Sequence, residues 1–355
     1  MFRSRRILVA FAASASLALI LASSVAVAQS GDSDGDGVPD DIENATQRNV
    51  VAVAAGDEFD ISSRLASAPY EDHFEVFYKA GNFSVTYERV GGGESSYTLE
   101  LRNLVEWIDN GSHTFGRNEI AIESPLGSAA FSGMPVTKFR TDNADGGVVN
   151  MFVVRSRTGE VTLNVTVAER FMRLGDRILT PMEVKLDLVV NRVFVAANAS
   201  LGLDWRITTE DGWEFTDRSW DENNGFARDD MAINVTGGPQ TNSATVFFSW
   251  AKSAVADGQS VPVTFLNAGN VTPNASELYL AYPLGAGRAS VKLVHDPVLG
   301  VDSAAYEGII SRQPPLQGDA LVYGISLAAM AVLIGVTIVL ANRRRKKREE
   351  LGRNP

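Results

Sequence analysis

The sequence predicts an all-β protein: two β-sandwich domains, Ig-like or jelly-roll-like, between an export leader and one C-terminal membrane helix. Three observations carry this. The first is period-two alternation. Met182, Val184, Leu186, Leu188 and Val190 alternate with Glu183, Lys185, Asp187 and Val189, and Tyr97, Leu99 and Leu101 alternate with Thr98, Glu100 and Arg102. Such half-buried strands suit antiparallel sheets with one wet face. The second is turn chemistry. Lys79-Ala80-Gly81 and Arg157-Thr158-Gly159 each join two strand-like runs as hairpins, and Gly91-Gly92-Gly93, Asp145-Gly146-Gly147 and Gly237-Gly238-Pro239 mark loops. The third is agreement between glycosylation sequons and strand register. Asn164 lies opposite Val161, Leu163, Val165 and Val167; Asn82 lies opposite Phe83, Val85 and Tyr87; Asn234 lies between Ile233 and Val235. A glycan must face water, so each sequon marks the outer face of its strand.

Met1–Ala28 reads as a secretory signal. Arg3, Arg5 and Arg6 form the basic region, Ile7–Leu21 the apolar one, and Ala26-Val27-Ala28 a small-x-small cleavage site. Ser4-Arg5-Arg6 loosely resembles a twin-arginine signal; the long apolar stretch favours ordinary secretory export. Residues 29–48 form an acidic leader, 49–199 a first sandwich and 200–310 a second, with the boundary placed at the turn-rich Asn198–Gly202. The one helix-like stretch considered is Leu101–Ile108. Residues 311–319, with Pro314-Pro315, form a stalk of at most roughly 30 Å. Residues 320–341 carry no charge; 22 residues at 1.5 Å each span about 33 Å, enough for a hydrocarbon core of about 30 Å. Residues 342–355 form a basic tail that the positive-inside rule keeps in the cytoplasm. The expected location is the cell membrane, with a single span and the N-terminal part outside.

The net charge of −11 hides a strong asymmetry. Without the three leader arginines, and without the tail's seven Arg/Lys and two Glu, 22 basic residues face 41 acidic ones, near −19. This argues against nucleic acid or an anionic membrane surface as partner of the exported part. The chain has no cysteine, so no disulfide staples it. Sequons start at Asn44, Asn82, Asn110, Asn164, Asn198, Asn234, Asn270 and Asn274. With 20 asparagines, ordinary Ser/Thr frequency gives roughly two or three, so eight points to selection for glycosylation.

One local motif carries metal chemistry. In Asp32-Ser33-Asp34-Gly35-Asp36-Gly37-Val38, three alternate carboxylates surround one centre and Gly37 allows the sharp turn. The Val38 carbonyl adds an oxygen, and Glu43 at position twelve can chelate with both of its own. This is an oxygen cage for one Ca²⁺. A flexible acidic leader is the plainer alternative. With Pro39, Asp40 and Asp41 following, the run resembles a thrombospondin type 3 repeat, and that resemblance implies Asp32, Asp34, Asp36 and Asp40 as ligands; only one copy is present.

The residues select no catalytic set. Gly31-Asp32-Ser33-Asp34-Gly35 matches a nucleophile-elbow pattern without the flanking strand and helix it needs. His73, His113 and His295 lack metal spacing, and His295-Asp296-Pro297 reads as a strand-end turn. Trp107 and Trp250 lie in apolar runs and read as core. Trp213 and Trp220 lie in polar, Gly/Asn/Asp-rich sequence and are the candidate ligand-binding tryptophans, with packing under a long loop as the alternative.

In architecture, the chain resembles archaeal single-pass cell-surface glycoproteins: signal, acidic calcium loop, sequon-bearing β-rich ectodomain, span and basic tail. Trp250-Ala251-Lys252-Ser253-Ala254 with Asp257-Gly258, and His295-Asp296-Pro297 before Gly300-Val301, are similar to segments of that set. The resemblance implies display on the cell surface and no particular activity. The expected role is structural, adhesive or partner-binding, toward an extracellular protein or glycan of unspecified identity. The alternative is an ectodomain that binds or processes polysaccharide.

Overall fold

A computed structural model describes residues 47–65, 72–89, 93–112, 114–142, 148–174, 177–218, 229–236, 245–272 and 274–302. The export leader, the calcium-loop residues Asp32 to Glu43, Asn44, Trp220, the stalk, the apolar span and the basic tail lie outside these residues. Among the described residues no helix is long and apolar enough to cross a membrane.

In chain order the strands begin with β1 (Asn49–Ala55), β2 (Glu58–Leu65), β3 (Asp72–Lys79), β4 (Asn82–Arg89), β5 (Glu94–Trp107) and β6 (Ile120–Pro125). A short helix, α1 (Gly127–Phe131), precedes β7 (Thr137–Asp142), β8 (Val148–Arg155) and β9 (Val161–Ala168). A small pair, β10 (Met172–Leu174) and β11 (Arg177–Leu179), leads to β12 (Glu183–Val193) and β13 (Ser200–Thr208). Then come β14 (Gly212–Asp217), β15 (Asp230–Thr236), β16 (Thr245–Ala251), β17 (Ser253–Ala256) and β18 (Gln259–Pro262). The last four are β19 (Thr264–Thr272), β20 (Ala275–Tyr282), β21 (Ser290–His295) and β22 (Val298–Asp302).

The all-β class is as the alternation predicts. Nearly all of these strands fall into two large antiparallel sheets. The first runs β1-β2-β3-β4-β5-β13-β20-β19, with β6 also on β5. The second runs β14-β15-β16-β22-β12-β21-β17-β18, and β12 also pairs β9, which continues to β8 and β7. The predicted inward sets are indeed buried: Tyr97, Leu99 and Leu101; Phe83, Val85 and Tyr87; Val161, Leu163, Val165 and Val167; and Met182 through Val190 at alternate positions. Each such aliphatic side chain taken from water contributes about 1.5–3 kcal/mol. The sheets face each other across one apolar core. Phe59 on β2 stacks on Phe152 of β8 at 4.5 Å between ring centroids, and Trp205 on β13 meets Phe248 of β16 at 5.5 Å. The Tyr97 hydroxyl on β5 donates to the Phe247 carbonyl of β16 at 2.7 Å, so the buried phenol is satisfied across the gap.

Two expectations are corrected. Residues 49–199 and 200–310 are not separate sandwiches. β13 pairs β5 through Ser200↔Trp107 to Thr208↔Thr98, and β12 pairs both β21 and β22, so each sheet mixes strands from either side of residue 200. All described residues belong to one compact unit. The turn at Asn198–Gly202, read as a domain boundary, is where the chain leaves the second sheet and enters the first. The helix considered over Leu101–Ile108 is the second half of β5. Leu104, Val105, Glu106 and Trp107 are all buried, because both faces of the strand are covered there, and this erases the alternation.

The hairpin readings hold. β3 and β4 are joined by Ala80-Gly81, both at positive φ (50° and 86°), the backbone a two-residue hairpin needs. β8 and β9 pair across the turn containing Gly159. His295 closes β21, as its turn reading requires. Its Nε2 lies 3.1 Å from the Ala251 carbonyl, which only accepts, so Nε2 donates and Nδ1 accepts from the Tyr282 hydroxyl at 2.8 Å.

Candidate functional site

Outside the core, polar groups converge on the outer face of the first sheet. The bulge at Asp204/Trp205 shifts β5 against β13, so Asn103, Val105 and Trp107 turn outward along with Gly202, Asp204 and Arg206 of β13. On β20 the same face carries Glu277, Tyr279 and Ala281, opposite Arg206, Asp204 and Gly202. Phe115 and Arg117, from the segment between β5 and β6, lie over this face. Phe115 seats on Trp107 (5.5 Å, edge-to-face) and on Tyr279 (5.2 Å), closing a small second core with Val105 and Ala281. Gly202 is required beneath it: a Cβ there would stand 2.8 Å from Val105 Cγ2.

The polar part sits beside this second core. Asp204 is 1% exposed. Its Oδ2 accepts from Asn103 Nδ2 at 2.7 Å and lies 3.8 Å from Arg102 Nη1; its Oδ1 is buried with no hydrogen-bond partner. Glu277 is also buried and is gripped by arginines: Arg102 by direct contact, Arg117 from the overlying segment at 3.5 Å, and Arg206 at 3.6 Å. Burial pushes the Asp204 carboxyl up to about 6; Asn103 and Arg102 oppose the rise, while Glu277 and Glu123 add to it. Burial, with the Asp204 charge next, pushes the Tyr279 hydroxyl up to about 12. A buried carboxyl that titrates near neutrality beside a second carboxylate is the kind of group that exchanges protons or accepts hydrogen bonds from a polar ligand. Among the described residues no cluster of His, Cys, Asp or Glu is placed to hold a metal ion.

Of the sites read from sequence, Trp213 on β14 is half-buried. It packs edge-to-face on Phe215 at 5.4 Å and against the main core. Asn110, Asn198 and Asn274 are exposed; Asn82, Asn164 and Asn234 are half-buried on outward faces; Asn270 lies in β19. Sequence reasoning missed the Asp204–Glu277 cluster. Its members come from residues 102 to 277 on three strands whose pairing has no local signal. The nearest hint is Asp204 itself, a charge inside the apolar run Leu201-Gly202-Leu203-Asp204-Trp205.

No protein-family model matches this sequence, and no curated protein does. Among solved structures, the chain has a distant likeness to a family 92 inverting mannosidase from Bacteroides thetaiotaomicron. That likeness has a TM-score of 0.29 and 9% identity, and covers 73% of this chain but only 29% of the mannosidase. A protein of Klebsiella pneumoniae described as an aldose 1-epimerase gives a TM-score of 0.24 and 12% identity, over 75% of this chain and 94% of that one. Neither likeness is close enough to transfer a function.

Proposed function

We propose that this chain is an N-glycosylated cell-surface protein, held by residues 320–341 with its double-sheet sandwich outside the cell. Its role there is structural, adhesive or partner-binding. One Ca²⁺ is held near the N-terminus by Asp32, Asp34, Asp36, the Val38 carbonyl, Asp40 and Glu43. The observation that supports this reading best is the placement of the sequons. Asn110, Asn198 and Asn274 are exposed and Asn82, Asn164 and Asn234 half-buried, although the strand neighbours Phe83, Leu163, Val165, Ile233 and Val235 are at most 2% exposed. The density of eight sequons and the acidic exterior point the same way. The test is affinity purification from native membranes followed by glycopeptide mass spectrometry. Sugar on several of the eight asparagines, Asn110 and Asn198 among them, is the expected result. Complete absence of sugar from all eight would overturn the reading.

A second reading, polysaccharide binding or processing, is favoured by one observation: the buried Asp204 carboxyl, with an unpartnered oxygen, beside Glu277 and three arginines.

A further inference from the structure

We infer that sugar reaches Asn82, Asn164, Asn198, Asn234 and Asn274 before the sheets close, whereas Asn110 stays open to a glycosyltransferase after folding. This rests on the glycoprotein reading above and adds the order of events. The transfer forms a bond from C1 of the sugar to asparagine Nδ2 and breaks the bond from C1 to a phosphate oxygen of a lipid-linked donor. The lipid phosphate leaves with the electron pair, and the amide nitrogen gives up one proton. The enzyme reads the hydroxyl two residues on as well as the asparagine, so it must take the whole Asn-x-Ser/Thr segment into its own site. A product site therefore needs only an exposed asparagine, but a substrate site needs a free tripeptide.

The folded chain separates these two requirements. Asn198 is exposed, at φ 58°, with its Oδ1 accepting from the Gly287 N–H at 3.0 Å. Its partner Ser200 is 4% exposed; that hydroxyl accepts from the Leu284 N–H at 2.8 Å and donates to the Leu284 carbonyl at 3.2 Å. Asn274 is exposed, while Ser276 is 5% exposed within β20, which is paired on both edges by β13 and β19. Asn82, Asn164 and Asn234 stand in β4, β9 and β15, each likewise hydrogen-bonded to a strand on either side. Thr166 of the Asn164 sequon is buried, and Asn234 Nδ2 already donates to Thr216 Oγ1 at 3.1 Å. Pulling out the Asn82, Asn164, Asn234 or Asn274 segment would break two ladders of a folded sheet, and pulling out Asn198–Ser200 would break the Ser200 pairing with Trp107 and both Leu284 bonds.

Asn110, like Asn198, has an exposed side chain whose Oδ1 accepts from a backbone N–H, but its sequon hydroxyl is not buried: Ser112 Oγ donates to the nearby Thr114 carbonyl at 3.0 Å, and the Asn110 N–H donates to Glu119 Oε1 at 3.1 Å. Asn110 and Ser112 are both exposed and lie outside the ladders. The Asn110 Oδ1 accepts from the Ser112 N–H at 3.0 Å, a local turn that sets amide and hydroxyl on one short bend.

The test uses the full-length, sugar-free chain in two states. In one it is folded in detergent micelles; in the other it is translocated during synthesis into membrane vesicles. Both receive the same glycosyltransferase and lipid-linked oligosaccharide, with a short peptide containing Asn110-Gly111-Ser112 as a control for enzyme activity. Occupancy is read by glycopeptide mass spectrometry. The folded chain should be modified at Asn110, with Asn198 and Asn274 at least tenfold lower, and the translocating chain should be modified at all three. Equal modification of Asn198, Asn274 and Asn110 on the folded chain overturns the inference and leaves the glycoprotein reading standing. No modification of the translocating chain, with the control peptide modified, overturns both.

Discussion

Replacing Glu106 with alanine is expected to lower the unfolding free energy by about 3–5 kcal/mol, the scale on which breaking a buried ion pair acts. Glu106 has no exposed surface. It sits at the end of the sandwich on β5 of the first sheet and takes Arg192 of β12, in the second sheet, at 2.7 Å (Nε) and 2.6 Å (Nη2). It also accepts from the Val195 N–H at 3.0 Å and the Ala196 N–H at 2.7 Å, fixing the turn that crosses between sheets. Alanine would leave two backbone donors unsatisfied and Arg192 with Glu160 as its remaining carboxylate, at 2.7 Å. The measurement is urea unfolding of the full chain in detergent, followed by fluorescence of the buried Trp107, Trp205 and Trp250. Lys79→Ala, which removes an exposed, solvent-screened pair with Glu58, is the control and should leave the unfolding free energy nearly unchanged. Equal effects from the two substitutions would show that Glu106 does not join the sheets.

Asp204→Asn is expected to act in the opposite direction above pH 6. The folded carboxyl titrates at about 6, against an ordinary value of 3.8. The folded state therefore holds an extra proton between these values, and folding strength falls as pH rises from about 4 to about 6. A displacement of this size is on the order of 2–3 kcal/mol. Asparagine removes the buried charge and keeps an acceptor for Asn103. The variant should match the parent near pH 4, exceed it at pH 7, and lose the downward step between. Melting curves at pH 4, 5, 6 and 7 read this directly; a variant less stable than the parent at pH 7 would show that the arginines more than offset the burial of the anion. Natural chains keep such a costly group where it serves a task. Under the polysaccharide reading, the stabilised variant also binds polysaccharide more weakly, which a purely structural Asp204 would not cause.

Local physics is what the sequence displays most clearly. The alternation over Met182–Val190 and Val161–Val167 told which side chains are buried, because a strand with one wet face has no other arrangement. Ala80-Gly81 told where β3 turns into β4. Partner choice was hidden. Asp204 meets Asn103 across 101 residues, and nothing near either residue specifies that pairing. For the same reason the crossing at Asn198–Gly202 looked like a boundary between domains. The half-strand Leu104–Trp107 looked helical because Phe115 and its neighbours cover its second face, a fact that lies outside the strand itself. The charged cluster at Asp204 was illegible until three strands were placed side by side.

Selective lysine labelling of intact cells tests directly on which side of the membrane the sandwich lies. Lys79 is 56% exposed on the folded sandwich, and Lys346 and Lys347 lie in the basic tail. With a membrane-impermeant amine reagent and peptide mass spectrometry, Lys79 should be labelled on intact cells and the two tail lysines only after permeabilisation. Labelling of Lys346 and Lys347 on intact cells, with Lys79 protected until the membrane is opened, would contradict an extracellular sandwich.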